Sequence, residues 1–285
     1  MDILHGYRAD KQLRDSFNRL AEQTFGLNFE GWYQNGFWGE NYDPHSIVID
    51  GAVAANVSVN RTNLVFGGKR YQILQLGTVM TAPEHRGKGY GRAIMDYIER
   101  EYADVDGIYL FANDTVVDYY PRFGFRPARE MACSKSFALT GECKAEQVPM
   151  DGPAAWEKLA AAMEKSTFRE GCPMVDNPGL IFFYVSLFLQ EAVYFIPHLD
   201  AWVIAEPEEG SLTIHSIFAD SAVTIEEVVR AFGNVDQVQL GFAPADPTGW
   251  EISELREEDT HFFVKGAVFD EFEERGLRIP SLSHA

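Results

Sequence analysis

The sequence contains one basic, glycine-rich stretch, Thr81-Ala-Pro-Glu-His-Arg-Gly-Lys-Gly-Tyr-Gly-Arg92. The apolar segment 71–80 before it predicts a strand, and apolar residues at helical spacing in 92–100 predict a helix after it. A turn that leads from a strand into a helix is suited to bind phosphate, because the first N–H groups of a helix are unpaired and carry a partial positive charge. The stretch therefore predicts a pyrophosphate site built on backbone amides.

The spacing of the glycines narrows the choice of ligand. The stretch has neither the Gly-x-Gly-x-x-Gly fingerprint of dinucleotide sites nor the final Gly-Lys-Ser/Thr of a P-loop. It matches Gln/Arg-x-x-Gly-x-Gly/Ala, and in this it resembles the acyl-CoA loop of the GNAT (Gcn5-related N-acetyltransferase) superfamily, which binds the pyrophosphate of coenzyme A. The resemblance implies that acetyl-CoA is the acyl donor, bound by Arg86, Gly87, Lys88, Gly89, Tyr90, Gly91 and Arg92. The alternative is a glycine-rich surface turn with basic residues present by chance.

A second segment, Asn113-Asp-Thr-Val-Val-Asp-Tyr-Tyr-Pro-Arg-Phe-Gly-Phe125, also resembles GNAT proteins. The family pattern at this place is an Asn, a short helix, and a Tyr four residues ahead of Gly-Phe. Tyr120 has that spacing to Gly124, whereas Tyr119 is one residue out of register. The resemblance implies that Asn113 contacts CoA and that Tyr120 is the acid that protonates the leaving sulfur. The alternative for Tyr120 is a tyrosine packed in the core.

The first half of the chain predicts an α+β fold, the α/β fold of GNAT proteins, with a mixed, mostly antiparallel twisted sheet flanked by helices. A helix over 11–24 precedes an aromatic, glycine-rich segment over 25–42, which in the family helps to form the acceptor site. Strands follow at 45–50, 52–60, 63–66, 71–80 and 107–112. The helix over 92–102 lies between the last two, which predicts that they are parallel.

The second half repeats the order of meander, strand, helix and strand. We predict helices over 154–165 and 224–232, and strands near 181–186, 193–197, 201–206, 211–218, 238–242 and 260–264. Acidic residues at 220, 226 and 227 replace the glycine-rich turn and would repel pyrophosphate. The expected domains are a GNAT catalytic domain over 1–140, which binds acyl-CoA, and a degenerate GNAT-like domain over 150–285 without a CoA loop. This tandem layout resembles the enhanced-intracellular-survival group of acetyltransferases.

Transfer of an acyl group to an amine needs a donor to the oxyanion, an acid for the sulfur and a route for the amine proton. In GNAT proteins a splayed strand before the loop leaves free N–H groups beside the thioester. The resemblance implies that Val79, Met80 and Thr81 hold this place. We favour direct attack in a ternary complex, in which proximity contributes much of the rate.

The general base is not identified by the sequence. Gln75 and Gly77 stand where some family members carry a carboxylate. In the enhanced-intracellular-survival group the terminal carboxylate of the chain can serve, which makes Ala285 the corresponding residue. His85 is interpreted as a surface histidine beside the loop. Cys133 lies beyond the motifs and has no matched base, so an acyl-enzyme intermediate on it is not supported.

Composition excludes several classes of protein. The net charge is -19, and residues 141–285 carry 26 acidic against 9 basic residues, so nucleic acid is not an expected partner. This charge would attract a cationic acceptor, although a solvated acidic face is the alternative. Three cysteines without a CxxC pattern predict a reducing cytoplasm and no metal. Neither a secretory signal nor a membrane-length apolar run is present, which predicts a cytoplasmic protein that does not bind membranes.

Two classes of function remain. The first is an N-acetyltransferase that uses acyl-CoA to acylate a primary amine of a small or peptidic acceptor. The second is a non-catalytic acyl-CoA-binding sensor or partner-binding protein that has kept the fold. Tyr120 favours the enzyme, whereas the missing carboxylate favours the sensor. The oligomeric state is left open.

Overall fold

Two seven-stranded sheets form the framework of the protein. The structure is a computed structural model, and it describes residues 2–284. Within this range the helices are α1 (Lys11–Phe25), α2 (Glu30–Gln34), α3 (Tyr90–Glu101), α4 (Pro153–Lys165), α5 (Pro178–Leu187), α6 (Ile225–Ala231) and α7 (Val268–Glu274). The strands are β1 (Tyr42–Ile49), β2 (Ala52–Phe66), β3 (Lys69–Thr81), β4 (Gly107–Ala112), β5 (Arg126–Pro127), β6 (Met131–Leu139), β7 (Glu146–Gln147), β8 (Met174–Val175), β9 (Val193–Ile196), β10 (Ala201–Glu208), β11 (Ser211–Ala219), β12 (Val235–Leu240), β13 (Glu251–Glu254) and β14 (His261–Lys265).

The first sheet begins with an antiparallel meander of β1, β2 and β3. Asp50 and Gly51 form the first hairpin turn with φ values of 50° and 78°, and Gly67 and Gly68 form the second with 60° and 74°. Two successive residues at positive φ match the twist of the flanking strands, which is why these dipeptides fix the hairpins. Helix α3 then crosses over to β4, which pairs parallel with β3 as predicted.

The second sheet repeats this order with different residues. Strands β9, β10 and β11 form an antiparallel meander, and α6 leads from β11 to the parallel strand β12. Each meander and its crossover helix bury a separate apolar cluster. The predicted α+β fold, with mixed sheets flanked by helices, is therefore confirmed.

The sheets exchange strands, and this differs from the predicted division at 140–150. Strand β6 lies between β12 and β13 in the second sheet, and β14 lies between β4 and β5 in the first. Phe262, Phe263 and Val264 of β14 are buried against the first half of the chain, so the edge of β4 is covered and its ladder is paired. The alternation of apolar residues predicts a strand near 260–264, but it does not tell which sheet edge the strand will join.

The predicted strand at 181–186 is wrong, because these residues lie in helix α5. The side chain of Asn177 accepts a hydrogen bond from the Leu180 amide at 3.3 Å, and Pro178 occupies the first turn. The helix is buried on two sides, since Leu180 packs into one apolar cluster and Ile181 into another. A helix that is apolar all round has no helical period, so its sequence looks like a buried strand.

No helix between residues 2 and 284 combines the length and apolarity needed to cross a bilayer.

Glu170 gives a prediction about stability. Its carboxyl lies beside β11 and accepts a hydrogen bond from the Ser216 hydroxyl at 3.3 Å, and burial raises its pKa from 4.5 to about 8. The folded protein therefore holds a proton that the unfolded chain loses above about pH 4.5, so the free energy of unfolding should fall as the pH rises from about 4.5 to 8. Glu170→Gln should remove this dependence. Urea unfolding should show that the substitution raises the free energy of unfolding, relative to wild type, more at pH 8 than at pH 5.5. An equal gain at both pH values, or the same pattern in the exposed control Glu209→Gln, would contradict this.

Candidate active site

A cavity of about 830 Å³ opens where β3 and β4 diverge. The parallel pairing joins residues 73–75 to 107–109 and ends there, so the later part of β3 and the end of β4 form two walls. The loop before α3 and the first turn of that helix form one end of the cavity. Aromatic residues from the segment between α1 and β1, together with α5, line a further, apolar end, where they share one apolar cluster with Met80 of β3.

The loop end presents backbone amides. Gly87 and Gly89 adopt left-handed conformations with φ values of 74° and 79°, which favour glycine. Helix α3 begins at Tyr90, two residues before the predicted start, with Gly89 as N-cap. In the described structure no side chain caps this helix and its first turn has no acidic residue. The helix N-terminus is thus available to an anion, and the exposed side chains of Arg86 and Arg92 line the same end.

Gly91 is constrained by close packing rather than by its backbone angle. A Cβ atom built at this position would lie 2.7 Å from the hydroxyl oxygen of Tyr119. Tyr119 also lines the cavity, so a side chain at position 91 would push it out of place. The third glycine of the motif therefore allows α3 to approach the segment that carries Tyr119 and Tyr120.

The N-terminus of the corresponding helix in the second half is capped by an acidic side chain. The Glu227 carboxylate accepts hydrogen bonds from the amide and hydroxyl of Thr224 at 2.8 and 2.7 Å, in a capping box with the N-cap residue. An anionic side chain therefore already occupies the N-terminus of α6. That the second half has no CoA loop stays a prediction.

The divergence of β11 and β12 is filled by the segment near the C-terminus. The amide of Ser281 donates to the Gly241 carbonyl at 2.7 Å, and its hydroxyl lies 2.9 Å from Nδ1 of His215. A Cβ atom at Gly241 would clash with the Ser281 hydroxyl oxygen, so glycine is required for this contact. The segment continues to His284, which stacks on Phe111 with ring centroids 4.1 Å apart and lines the cavity of the first half. Ala285, the residue considered as a base, lies outside the described residues.

A bulge in β3 faces the cavity. Asn56 pairs with Met80 but Ser58 pairs with Gly77, so one residue of β2 lies opposite Thr78 and Val79 together. Thr78 has a φ of 42°, which is costly for a β-branched residue. Hydrogen bonds hold it there: the Tyr42 and Thr78 hydroxyls lie 2.8 Å apart, and the Asn56 side chain donates to the Thr78 carbonyl at 2.9 Å.

The bulge determines where the end of β3 lies. Val79 is its second residue, and Met80 and Thr81 follow it directly. All three line the cavity beyond the point where β3 pairs with β4. Tyr42 and Thr78 were not identified from the sequence. The one available signal was the run of polar residues on β2, because buried polar side chains need hydrogen-bond partners on the neighbouring strand.

Tyr120 lies against both the cavity and the core. Its ring is 4% exposed and packs beside Phe125 and Phe263, in agreement with a core position, yet the residue also lines the cavity. Burial raises its pKa above 10, so the hydroxyl keeps its proton at neutral pH. Burial raises the pKa of the neighbouring Tyr119 as well.

Asn113 lines the cavity, but its side chain has a local partner. Its Oδ1 accepts hydrogen bonds from the amide and hydroxyl of Thr115 at 3.0 and 2.6 Å, and in this way it caps the short 3₁₀ turn Asp114–Val116. Its side-chain oxygen is thus already used by the fold, while the residue itself stands at the cavity edge at the end of β4.

The cavity brings together most of the residues that the sequence singled out. The predicted residues that line it are Val79, Met80, Thr81, Arg86, Gly87, Gly89, Tyr90, Gly91, Arg92, Asn113 and Tyr120. The Lys88 side chain does not line it, and its ammonium group instead lies 3.1 Å from Nδ1 of His85. Cys133 is buried in the second sheet, and burial raises the pKa of its thiol, so a thiolate nucleophile is disfavoured there.

The chain is similar to known proteins in part of its sequence and in its fold. A family model for the acetyltransferase (GNAT) domain matches residues 8–128. No curated protein matches the sequence. Among solved structures, a conserved protein of unknown function from Enterococcus faecalis V583 is similar at a TM-score of 0.59 and 14% identity, over 93% of this chain and 71% of that chain.

Two further structures share the fold of almost the whole chain. Eis1 from Mycobacterium abscessus has a TM-score of 0.54 and 17% identity, over 92% of this chain and 72% of its own. A GCN5-related N-acetyltransferase from Kribbella flavida has a TM-score of 0.53 and 19% identity, over 95% and 73%. Residues 8–128 therefore match the model of a GNAT acetyltransferase domain, and the chain as a whole shares its fold with these solved structures.

Proposed function

We propose that the protein is an acyl-CoA-dependent N-acyltransferase that transfers an acyl group, with acetyl as the simplest case, to a primary amine. The observation that carries this proposal is that a helix N-terminus without a side-chain cap, the end of the bulged strand β3 and the Tyr120 side chain all line the same cavity. These are the parts that bind a pyrophosphate, stabilise an oxyanion and protonate a leaving sulfur.

Each part has a defined role in the proposed reaction. The amides of residues 87–91 hold the pyrophosphate, and Arg86 and Arg92 balance its charge. The amine nitrogen attacks the thioester carbonyl, and N–H groups among Val79, Met80 and Thr81 stabilise the oxyanion. The carbon–sulfur bond then breaks, and Tyr120 donates its proton to the thiolate. Because Gln75 and Gly77 place no carboxylate on β3, we propose that the amine proton leaves through water in the open cavity.

The test is acetyl-CoA turnover with and without amines. We expect release of the CoA thiol to depend on the amine, with one N-acetylated product formed per thiol released, as measured by a thiol reagent and by mass spectrometry. The non-catalytic sensor is the competing function, and the absence of a carboxylate at Gln75 and Gly77 favours it. Calorimetric binding of CoA without any amine-dependent thiol release would support the sensor and refute the enzyme.

The hydroxyl contact between Tyr42 and Thr78 provides a separate prediction. Thr78→Val should lower kcat about tenfold, because losing a buried hydrogen bond that holds the bulge costs about 1–2 kcal/mol. Thr78→Ser keeps the hydroxyl and should retain most of the turnover, and KM for acetyl-CoA should stay close to wild type in both variants. The measurement is steady-state kinetics together with thermal unfolding. Equal turnover in the valine and serine variants would contradict a positioning role for this hydroxyl.

A further inference from the structure

One end of the cavity has an apolar lining. It is formed by Phe25, Leu27, Phe29, Trp32, Leu180 and Phe183. The rings pack on one another, with Phe29 stacked on Phe183 at 5.3 Å and Trp32 meeting Phe183 edge-on at 5.4 Å. Such a wall is preorganised, and it offers an apolar surface to whatever part of a substrate enters it.

Polar atoms at this end already have partners within the protein. The Trp32 indole N–H donates to the Gly179 carbonyl at 2.9 Å, and the Thr24 hydroxyl donates to the Leu20 carbonyl at 2.7 Å. The Tyr42 hydroxyl is engaged with Thr78. These groups are therefore committed to the fold, and the substrate meets mainly carbon atoms there.

The charges around the cavity do not favour a substrate with several positive charges. Among its described lining residues there is no Asp or Glu, and the charged side chains are Arg86, Arg92 and Arg122. Glu130 and Glu257 lie behind the His284 ring, 3.6 and 3.9 Å from its nitrogens, rather than on the lining. A second ammonium group at the apolar end would lose its water without gaining a partner, which is costly.

Glu30, on helix α2 beside this wall, is also committed elsewhere. Its carboxylate forms a two-pronged ion pair with the Arg14 guanidinium at 2.7 and 3.2 Å, and this pair lowers the Glu30 pKa. The net charge of the whole chain is -19, but the described residues that line the cavity carry no negative charge. The composition predicts that a cationic acceptor is attracted to the protein. The described lining residues include no acidic side chain that would attract it to the cavity.

We propose that the acceptor is a primary amine with an apolar aryl or alkyl body and no second charge. This inference rests on the proposed function, because it assigns the apolar end of the cavity to the acceptor of the same transfer. The amine nitrogen points to the end of β3 and Tyr120, while the aryl or alkyl body packs against Phe25, Leu27 and Phe183. An acyl chain longer than acetyl is the other apolar group that this wall could receive, and the experiment separates the two.

The experiment compares kcat/KM at saturating acetyl-CoA for two matched groups of amines. The apolar group is 2-phenylethylamine, tryptamine and n-hexylamine, and the polycationic group is spermidine and kanamycin. Burial of an aryl or alkyl body should give the apolar amines an advantage of about tenfold or more. A second series holds 2-phenylethylamine constant and varies the donor from acetyl-CoA to hexanoyl-CoA and octanoyl-CoA. We expect acetyl-CoA to be used at least as well as the longer donors.

One substitution places a carboxylate in the apolar wall. Phe25 is 42% exposed and lines the cavity, so Phe25→Glu should be tolerated by the fold. It should lower kcat/KM for 2-phenylethylamine and raise it for spermidine, which together shift their ratio by about tenfold. Ile252 is 40% exposed, lies in β13 of the second sheet and does not line the cavity, so Ile252→Glu is the control and should leave the ratio unchanged.

The outcomes separate this inference from the proposed function. Preference for spermidine or kanamycin would overturn the inference while leaving the N-acyltransferase in place. A marked preference for octanoyl-CoA without any preference among the amines would assign the wall to the acyl chain and would also overturn it. If the ratio of the two kcat/KM values is the same in Phe25→Glu as in the control Ile252→Glu, the wall is excluded from acceptor binding. CoA binding by calorimetry without acylation of any amine would instead reject the proposed function, and the inference with it.

Discussion

Replacing Gly91 with leucine is expected to reduce CoA affinity about a hundredfold or more. A Cβ atom at this position lies 2.7 Å from the Tyr119 hydroxyl oxygen, so the larger side chain must displace Tyr119 and enter the loop end of the cavity. The loss of two charge-assisted hydrogen bonds between amides and phosphate, at about 1.5–3 kcal/mol each, corresponds to this effect. Isothermal titration calorimetry measures it, and circular dichroism checks that the variant is folded.

Combining Gly91→Ala with Tyr119→Phe tests whether the contact between these two residues causes the loss of CoA affinity. In Gly91→Ala the added methyl group meets only the Tyr119 hydroxyl oxygen closely, since the ring carbon that bears it is 3.8 Å away. Tyr119→Phe removes that oxygen, so the double variant should bind CoA better than Gly91→Ala alone. Gly141→Leu adds the same bulk as Gly91→Leu at a glycine with open space around it and is the control. Wild-type CoA affinity in Gly91→Leu would refute the assignment of the loop.

Tyr120→Phe is expected to lower kcat about a hundredfold, within the range that general acid catalysis contributes. Affinity for CoA should change less than about twofold, because the ring and its packing against Phe125 and Phe263 are retained. Tyr119→Phe should lower kcat far less, since Tyr119 is out of register with the family pattern. Single-turnover kinetics with one amine distinguishes the two variants, and the acid role of Tyr120 is rejected if they behave alike.

The raised pKa of Tyr120 also sets the direction of the pH profile. Burial favours the neutral phenol, so the acid stays protonated up to and beyond pH 10. The rate should therefore rise with pH as the acceptor amine loses its proton, with no falling limb below pH 10. A falling limb between pH 7 and 9 that disappears in Tyr120→Phe would contradict this.

The sequence predicted the first half of the fold well, because its signals are local. Asp50-Gly51 and Gly67-Gly68 specify hairpins, and the glycine-rich stretch specifies the start of α3 to within two residues. The sequence did not predict the strand exchange, because pairing of β14 with β4 depends on which sheet edge is open in three dimensions. Nor could it identify α5, whose burial by two apolar clusters erases the helical period.

In the candidate site, too, local motifs could be predicted from the sequence, whereas contacts between distant parts of the chain could not. Its loop residues form a contiguous motif, so the sequence singles them out, as it does Tyr120 by its spacing to Gly124, and all of them except Lys88 line the cavity. Tyr42, Thr78 and His284 come from three distant parts of the chain and meet only in the folded structure. The apolar wall was expected only in outline, from the aromatic segment 25–42, because α5 supplies Leu180 and Phe183. Contacts of high sequence separation leave no pattern that a single sequence reveals.

A crystal structure with bound CoA tests the central claim most directly. We predict one CoA molecule per chain, with its pyrophosphate against the amides of residues 87–91. Its thiol should lie between the end of β3 at Val79–Thr81 and the hydroxyl of Tyr120, and should point toward the apolar wall. Electron density for the pyrophosphate at the N-terminus of α6, or a thiol that leads away from Tyr120, would contradict the account.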